Sequence, residues 1–100
     1  HLKYDELKWE GTTNPKIQKA IMWTNSEMGG TIFWKVPKGQ GFCIHGHKGY
    51  EHIYMVEGSM DFSGIVLSKG DFLCTSIGEE HEAIALDASI ILVMNERKNS

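Results

Sequence analysis

The sequence predicts an all-β protein, a small antiparallel β-barrel built as one domain. Three observations support this prediction. Short runs rich in β-branched and aromatic residues recur along the chain, turns containing glycine separate them, and only the first ten residues show weak helical periodicity. With 100 residues, 41% of them hydrophobic and 10% aromatic, the chain has the size of one domain and enough apolar surface for one core.

The elements follow one another in a regular order. A helix is credible only over residues 4–9, and the breaker Asn14-Pro15 comes before the first strand. The predicted strands comprise residues 16–23, 31–36, 42–47, 51–57, 59–67 with a break at Ser63-Gly64, 71–76, 81–86 and 89–95. We expect residues 1–100 to form a single domain, with N-terminal strands or an arm over 1–30 and the barrel core over 31–95.

Charge and composition exclude several classes of function. The net charge of −3 and the ten scattered Lys and Arg residues give no basic stripe, so we expect no nucleic-acid partner. No apolar run approaches the ~20 residues that a membrane helix needs. The two cysteines, Cys43 and Cys74, are too few for a disulfide framework, so we expect reduced thiols and a cytoplasmic location.

Four side chains form a candidate site for a metal ion. His45 and His47 are two residues apart in a predicted strand and therefore project from one face, about 6.6 Å apart along the chain. If Lys48-Gly49-Tyr50 is a hairpin loop, Glu51 lies across from His47, with Cβ atoms about 5 Å apart. His81 completes the set if the sheet curls round on itself. A His-x-His pair alone is common on protein surfaces, so the neighbouring residues matter.

Those neighbouring residues carry a family resemblance. The stretch from Gly39 to Gly58 resembles the first cupin motif, G-x5-H-x-H-x3/4-E-x6-G, with every fixed position filled. The stretch from Gly70 to Ala85 resembles the second motif, G-x5-P-x-G-x2-H-x3-N, although Ser76 stands in place of the proline and Ala85 in place of the asparagine. The resemblance implies the RmlC-like jelly roll, or double-stranded β-helix, and implies His45, His47, Glu51 and His81 as ligands of one divalent transition metal.

The donor set leaves the metal and the function open. Three imidazoles and a carboxylate suit Fe, Mn, Ni, Co or Zn. The chain resembles small cupins related to diketone-cleaving dioxygenases and also the zinc-binding cupin domain of anti-sigma factors. We expect a small-molecule metalloenzyme, an oxygenase or a lyase or isomerase, with a non-catalytic zinc- or ligand-binding sensor as the alternative. A metal-free sugar epimerase is disfavoured, because all four ligand types are present.

The residues around the site predict a pocket for a small organic ligand. Cys43 shares the face of His45 and His47, and we expect it to be a small buried side chain. The other pocket candidates are Tyr50 in the turn and Ile53 and Met55 on the face of Glu51, whereas His52 should face outward. The aromatic side chains Trp9, Trp23, Phe33 and Trp34 either line an opening or bury the face of a homodimer, and we expect the latter for those that face outward.

Overall fold

In the computed structural model, ten β-strands account for nearly all regular structure in the described part of the chain, residues 3–25, 29–44, 49–75 and 80–97. A single turn of 3-10 helix, Tyr4–Glu6, precedes them. The strands are β1 (Glu10–Gly11), β2 (Gln18–Asn25), β3 (Gly29–Val36), β4 (Gly41–Ile44), β5 (Gly49–Glu57), β6 (Ser59–Phe62), β7 (Ile65–Ser68), β8 (Phe72–Thr75), β9 (His81–Ala85) and β10 (Ser89–Arg97).

The strands form two antiparallel sheets. The large sheet has the order β1-β2-β3-β10-β5-β8 and the small sheet the order β4-β9-β6-β7. This arrangement confirms the predicted all-β jelly roll. The expected barrel does not close, because no strand pairing among the described residues joins one sheet to the other. The two sheets instead enclose the core between their facing sides, as in a sandwich.

Strand alternation decides which side chains enter the core. On β5, Ile53 and Met55 are fully buried while the intervening Tyr54 is exposed, and on β10 Ile91 and Val93 are buried in the same way. The small sheet contributes Met60 and Phe62, and Phe62 is the largest fully buried side chain among the described residues. One apolar cluster therefore fills the space between the sheets. The outward position predicted for His52 is confirmed, since its ring packs on Phe72 with centroids 5.6 Å apart.

The sequence located most strands within two residues. The break predicted at Ser63-Gly64 is the turn between β6 and β7, which pair as a hairpin. The two-residue strand β1 was not predicted, because two residues carry no periodicity. The credible helix over residues 4–9 is reduced to the single 3-10 turn, and Tyr4 in that turn packs edge-on against Phe33 at 5.8 Å.

One predicted pairing is wrong. The sequence suggested that β4 and β5 form a hairpin and that Glu51 lies across from His47. In the structure β4 belongs to the small sheet, and Glu51 pairs with Asn95 of β10 and Thr75 of β8. Because β5 has neighbours on both sides, it offers no free edge to β4. The two strands therefore belong to different sheets.

Candidate functional site

Glu51 is a carboxylate in the interior of the fold. It lies on the inner face of β5 and is 7% exposed. Its register partners make it the centre of a polar row across three strands, Asn95-Glu51-Thr75, and Thr75 is itself 3% exposed. The Thr75 hydroxyl donates a hydrogen bond to the backbone carbonyl of Glu51 at 3.3 Å. A polar row at this depth, next to an apolar core, marks this end of the sheet as a candidate site.

A cavity of about 480 Å³ opens beside this row. Cavities of this size accommodate small organic ligands. The walls come from the inner face of the large sheet, from β4 and from the loop before β2. The lining residues are Thr12, Thr13, Asn14, Ile17, Lys19, Trp34, Gly41, Phe42, Cys43, Glu51, Val93 and Asn95.

Two aromatic rings form much of the apolar wall. Trp34 and Phe42 lie with ring centroids 5.9 Å apart and planes inclined by 32°, and both pack against the buried core. Lys19 is in register with Trp34, and its Nζ lies 5.9 Å from the centre of the indole ring. Lys19 and Glu51 are the charged groups among the described lining residues, one on β2 and the other on β5.

The loop that bounds the cavity is held by its own polar side chains. The Thr12 hydroxyl lies 2.8 Å from the backbone carbonyl oxygen of Asn14 and 2.9 Å from that of Ile17, so the two carbonyls share its single proton. The Asn14 side chain accepts from the backbone N–H of Lys16 at 3.0 Å and donates to the side-chain carbonyl of Gln40 at 3.2 Å. These bonds fix the loop against the β3–β4 connection, so it forms an ordered wall.

The structure describes only part of the predicted ligand set. His45 and His47 lie outside the described residues, and of His81 only the backbone is described. That backbone pairs residue 81 of β9 with residue 44 of β4, the position before His45. Over residues 3–25, 29–44, 49–75 and 80–97, no cluster of three or more His, Cys, Asp or Glu side chains is placed to hold an ion.

The pocket candidates have different outcomes. Ile53 and Met55 are fully buried in the core and do not line the cavity, and the side chain of Tyr50 is not described. Cys43 does line the cavity, but the expectation that it is buried is wrong, since it is exposed. The reason is the register: Cys43 pairs with the exposed Glu82, while the neighbouring Phe42 pairs with the buried Ala83. Cys74 is also an exposed free thiol.

Several lining residues were not predicted as site residues. Ile17 and Lys19 are two residues apart in a predicted strand and therefore share a face, but nothing in the sequence shows whether that face is the inner one. Trp34 was considered only as part of an opening or a dimer face, and it lines the cavity. Asn95 was assigned to the last strand, and its role as a neighbour of Glu51 depends on the long-range β5–β10 pairing.

Among the described residues no helix is long and apolar enough to cross a membrane.

Comparison with known proteins supports the fold. None of the curated protein sequences matches the chain. An RmlC-like cupin from Shewanella frigidimarina superposes with a TM-score of 0.78 at 17% identity, over 99% of this chain and 91% of that one. The structure described as a putative acetylacetone dioxygenase from Methylibium petroleiphilum gives 0.84 at 19%, over 96% and 75% of the two chains. At these identities the similarity establishes the fold alone.

A third similar structure and the family model that matches this chain both involve the protein ChrR. The anti-sigma protein ChrR of Rhodobacter sphaeroides, solved in complex with SigE, gives a TM-score of 0.79 at 22% identity, covering 94% of this chain and 52% of ChrR. The family model described as the ChrR cupin-like domain matches residues 1–99. This match spans nearly the whole sequence, and the chain therefore belongs to the family of ChrR cupin-like domains.

Proposed function

We propose that this chain is a metal-binding cupin domain that binds and transforms a small organic molecule in the cavity beside Glu51. His45, His47, Glu51 and His81 hold one divalent transition metal in this proposal. The observation that carries it is the cavity itself, because Glu51 is at once deeply buried and part of the cavity wall. An ion bound by this carboxylate would be accessible to a ligand.

The residues fit a metal in two respects. Imidazole and carboxylate are the donors that divalent first-row metals take in proteins. The backbone of residue 81 on β9 pairs with residue 44 of β4, so position 81 lies close to the end of β4 from which the sequence continues to His45. The predicted donors thus come from both sheets, with Glu51 on the large sheet and residue 81 on the small one.

The side chains of the cavity would orient the ligand and restrict water. The wall formed by Trp34, Phe42, Ile17 and Val93 contacts the apolar part of a ligand, and Asn95 offers an amide beside Glu51. When bound, a six-coordinate ion held by four side chains supplies two open positions and Lewis-acid or redox chemistry.

The second candidate function is a non-catalytic zinc- or ligand-binding sensor. The observation that favours it is the family match, since the ChrR structure contains an anti-sigma protein in complex with its sigma factor. Zinc held by four side chains in a tetrahedral structural site leaves no position for a substrate. Coordination number therefore separates the two functions.

The first experiment measures metal content in protein purified without a nickel column and without a histidine tag. We expect about one ion per chain, and loss of that ion in Glu51→Gln. The matched control is Glu57→Gln, which makes the same change at an exposed position of the same strand. His81→Ala should also lose the ion, whereas His52→Ala, on the outer face, should keep it. Retention of the ion by both Glu51→Gln and His81→Ala would refute the four-ligand site.

The second experiment replaces the native ion with Co²⁺, whose visible spectrum reports its coordination. We expect the weak bands of a five- or six-coordinate ion and a spectral change when a small chelating acid is added. Intense tetrahedral bands that do not respond to the acid would contradict the enzyme and support the sensor.

A further inference from the structure

The position of one lysine within the cavity indicates which class of ligand enters it. We propose that the cavity takes an elongated organic carboxylate, whose acid group is bound by Lys19 at the end remote from Glu51. This inference rests on the proposed function in assuming that the cavity is the ligand site.

Lys19 is the basic residue of the described cavity lining. It occupies an inner-face position of β2, in register with Trp34, where the other strands carry apolar side chains. Its side chain is half-buried, and its Nζ lies 5.9 Å from the centre of the Trp34 ring. The aromatic face holds the ammonium group at the cavity wall and leaves its hydrogen-bond donors for an anion. Glu10 lies across from Lys19 on β1 and is exposed, and its carboxylate competes with a ligand for the Lys19 ammonium group.

The register gives the length of the ligand. Lys19 is at the level of Trp34, which pairs with Ile91, and Ile91 pairs with Met55. Met55 is four residues from Glu51, about 13 Å along a strand, and the four strands from β2 to β5 span about 14 Å at their usual spacing. The Cα atoms of Lys19 and Glu51 are therefore roughly 19 Å apart along the surface of the sheet. Even with both side chains reaching inward, a two-carbon acid cannot contact both groups.

The wall between these two ends is apolar and aromatic. Trp34 and Phe42 form the ring pair, and Val93 continues the same face toward Asn95 and Glu51. A chain or aromatic ring between the acid group and the reacting end would bury its apolar surface against them. The Lys19 ammonium group, its distance from Glu51 and the apolar wall between them together indicate an organic acid with an apolar body.

The test uses three probes of matched chemistry. We measure binding of 4-phenylbutyrate, its uncharged analogue 4-phenylbutanamide, and acetate by isothermal titration calorimetry. The first has both the acid and the apolar body, the second only the body, and the third only the acid. We expect the acid to bind about tenfold more tightly than the amide, the size of one charge-assisted hydrogen bond, and acetate to bind more weakly than either.

Two lysine variants locate the effect. In Lys19→Gln the preference for acid over amide should fall to about one, while the affinity for the amide changes little. Lys35→Gln is the matched control, because Lys35 also lies over a tryptophan, Trp9, at 4.2 Å, but on the outer face of the large sheet. That variant should keep the tenfold preference.

Chelation separates this proposal from the metal site. The preference, and its loss in Lys19→Gln, should be the same in protein as purified and in protein treated with a chelator. Equal binding of acid and amide, no binding of either, an unchanged ratio in Lys19→Gln, or a preference that disappears on chelation would each overturn the anion site. Protein that holds no metal as purified and takes up none when metal is added, but keeps the preference, would refute only the proposed metal site.

Discussion

Gly58, the last glycine of the first cupin motif, is a residue at which even substitution by alanine should destabilise the fold. It lies between β5 and β6, where the chain passes from the large sheet to the small one, and its φ is +80°. A Cβ added here would overlap the Ala88 carbonyl oxygen and lie 2.8 Å from the Ser89 Cα. Both are backbone atoms, one in the residue before β10 and one in its first residue, so neither can move without shifting the strand.

The magnitude follows from two contributions. A non-glycine residue in the left-handed region costs about 1–2 kcal/mol, and forcing an atom into filled space typically costs about 1–3 kcal/mol. Gly58→Ala should therefore lower the free energy of unfolding by about 2–5 kcal/mol. Gly70→Ala is the matched control, because Gly70 has a φ of +91° but nothing within 4 Å of an added Cβ. It should cost only the first contribution.

Urea and thermal unfolding, followed by far-ultraviolet circular dichroism, measure both variants. For a domain of this size each kcal/mol lowers Tm by about 4–8 °C, so a difference of about 2 kcal/mol separates the variants by about 8–16 °C. Equal losses in the two variants would show that backbone conformation alone sets the cost. In that case the close approach of Ala88 and Ser89 to Gly58 would add nothing to the cost of the substitution.

Three further predictions concern the core, the loop and the metal. Phe62→Ala should cost about 3–5 kcal/mol in urea unfolding, against less than about 1 kcal/mol for Phe72→Ala, because the first ring is fully buried and the second is 52% exposed. Thr12→Val removes the hydroxyl proton that the carbonyls of Asn14 and Ile17 share, at 2.8 and 2.9 Å, so amide hydrogen exchange at Ile17 should accelerate and stability should fall by about 1–2 kcal/mol. Added metal at 100 times its Kd should stabilise the chain by about 2.7 kcal/mol in thermal unfolding, and the stabilisation should be absent in Glu51→Gln.

Short-range patterns were sufficient to predict the strands but not their partners. The alternation of Ile53 and Met55 with Tyr54 is visible in the sequence, and the structure has the same alternation of buried and exposed side chains. The pairing of β4 with β9 is set by contacts between residues about forty positions apart. A glycine-containing segment of three residues is compatible with a hairpin and equally with a passage between sheets. Nothing local distinguishes the two, and the hairpin prediction failed there.

The same limit applies to the site. Glu51 was identified from its motif, and its burial and place in the cavity wall follow from β5 lying between β10 and β8. Lys19 and Asn95 belong to no motif, and only the register of the large sheet places them on the inner face with Glu51. Cys43 shows the converse error, because alternation extrapolated from an assumed inward face predicted a buried thiol, whereas the thiol is exposed where it lines the cavity.

The division of the proposed donors between two sheets has a consequence for stability. An ion bound to Glu51 and to residue 81 would cross-link the large and small sheets at one end of the sandwich. The apolar cluster of Met55, Phe62 and Ile91 lies further along the strands and holds the sheets together without any metal ligand. Removal of the ion should therefore loosen the end that contains the cavity while the core stays folded.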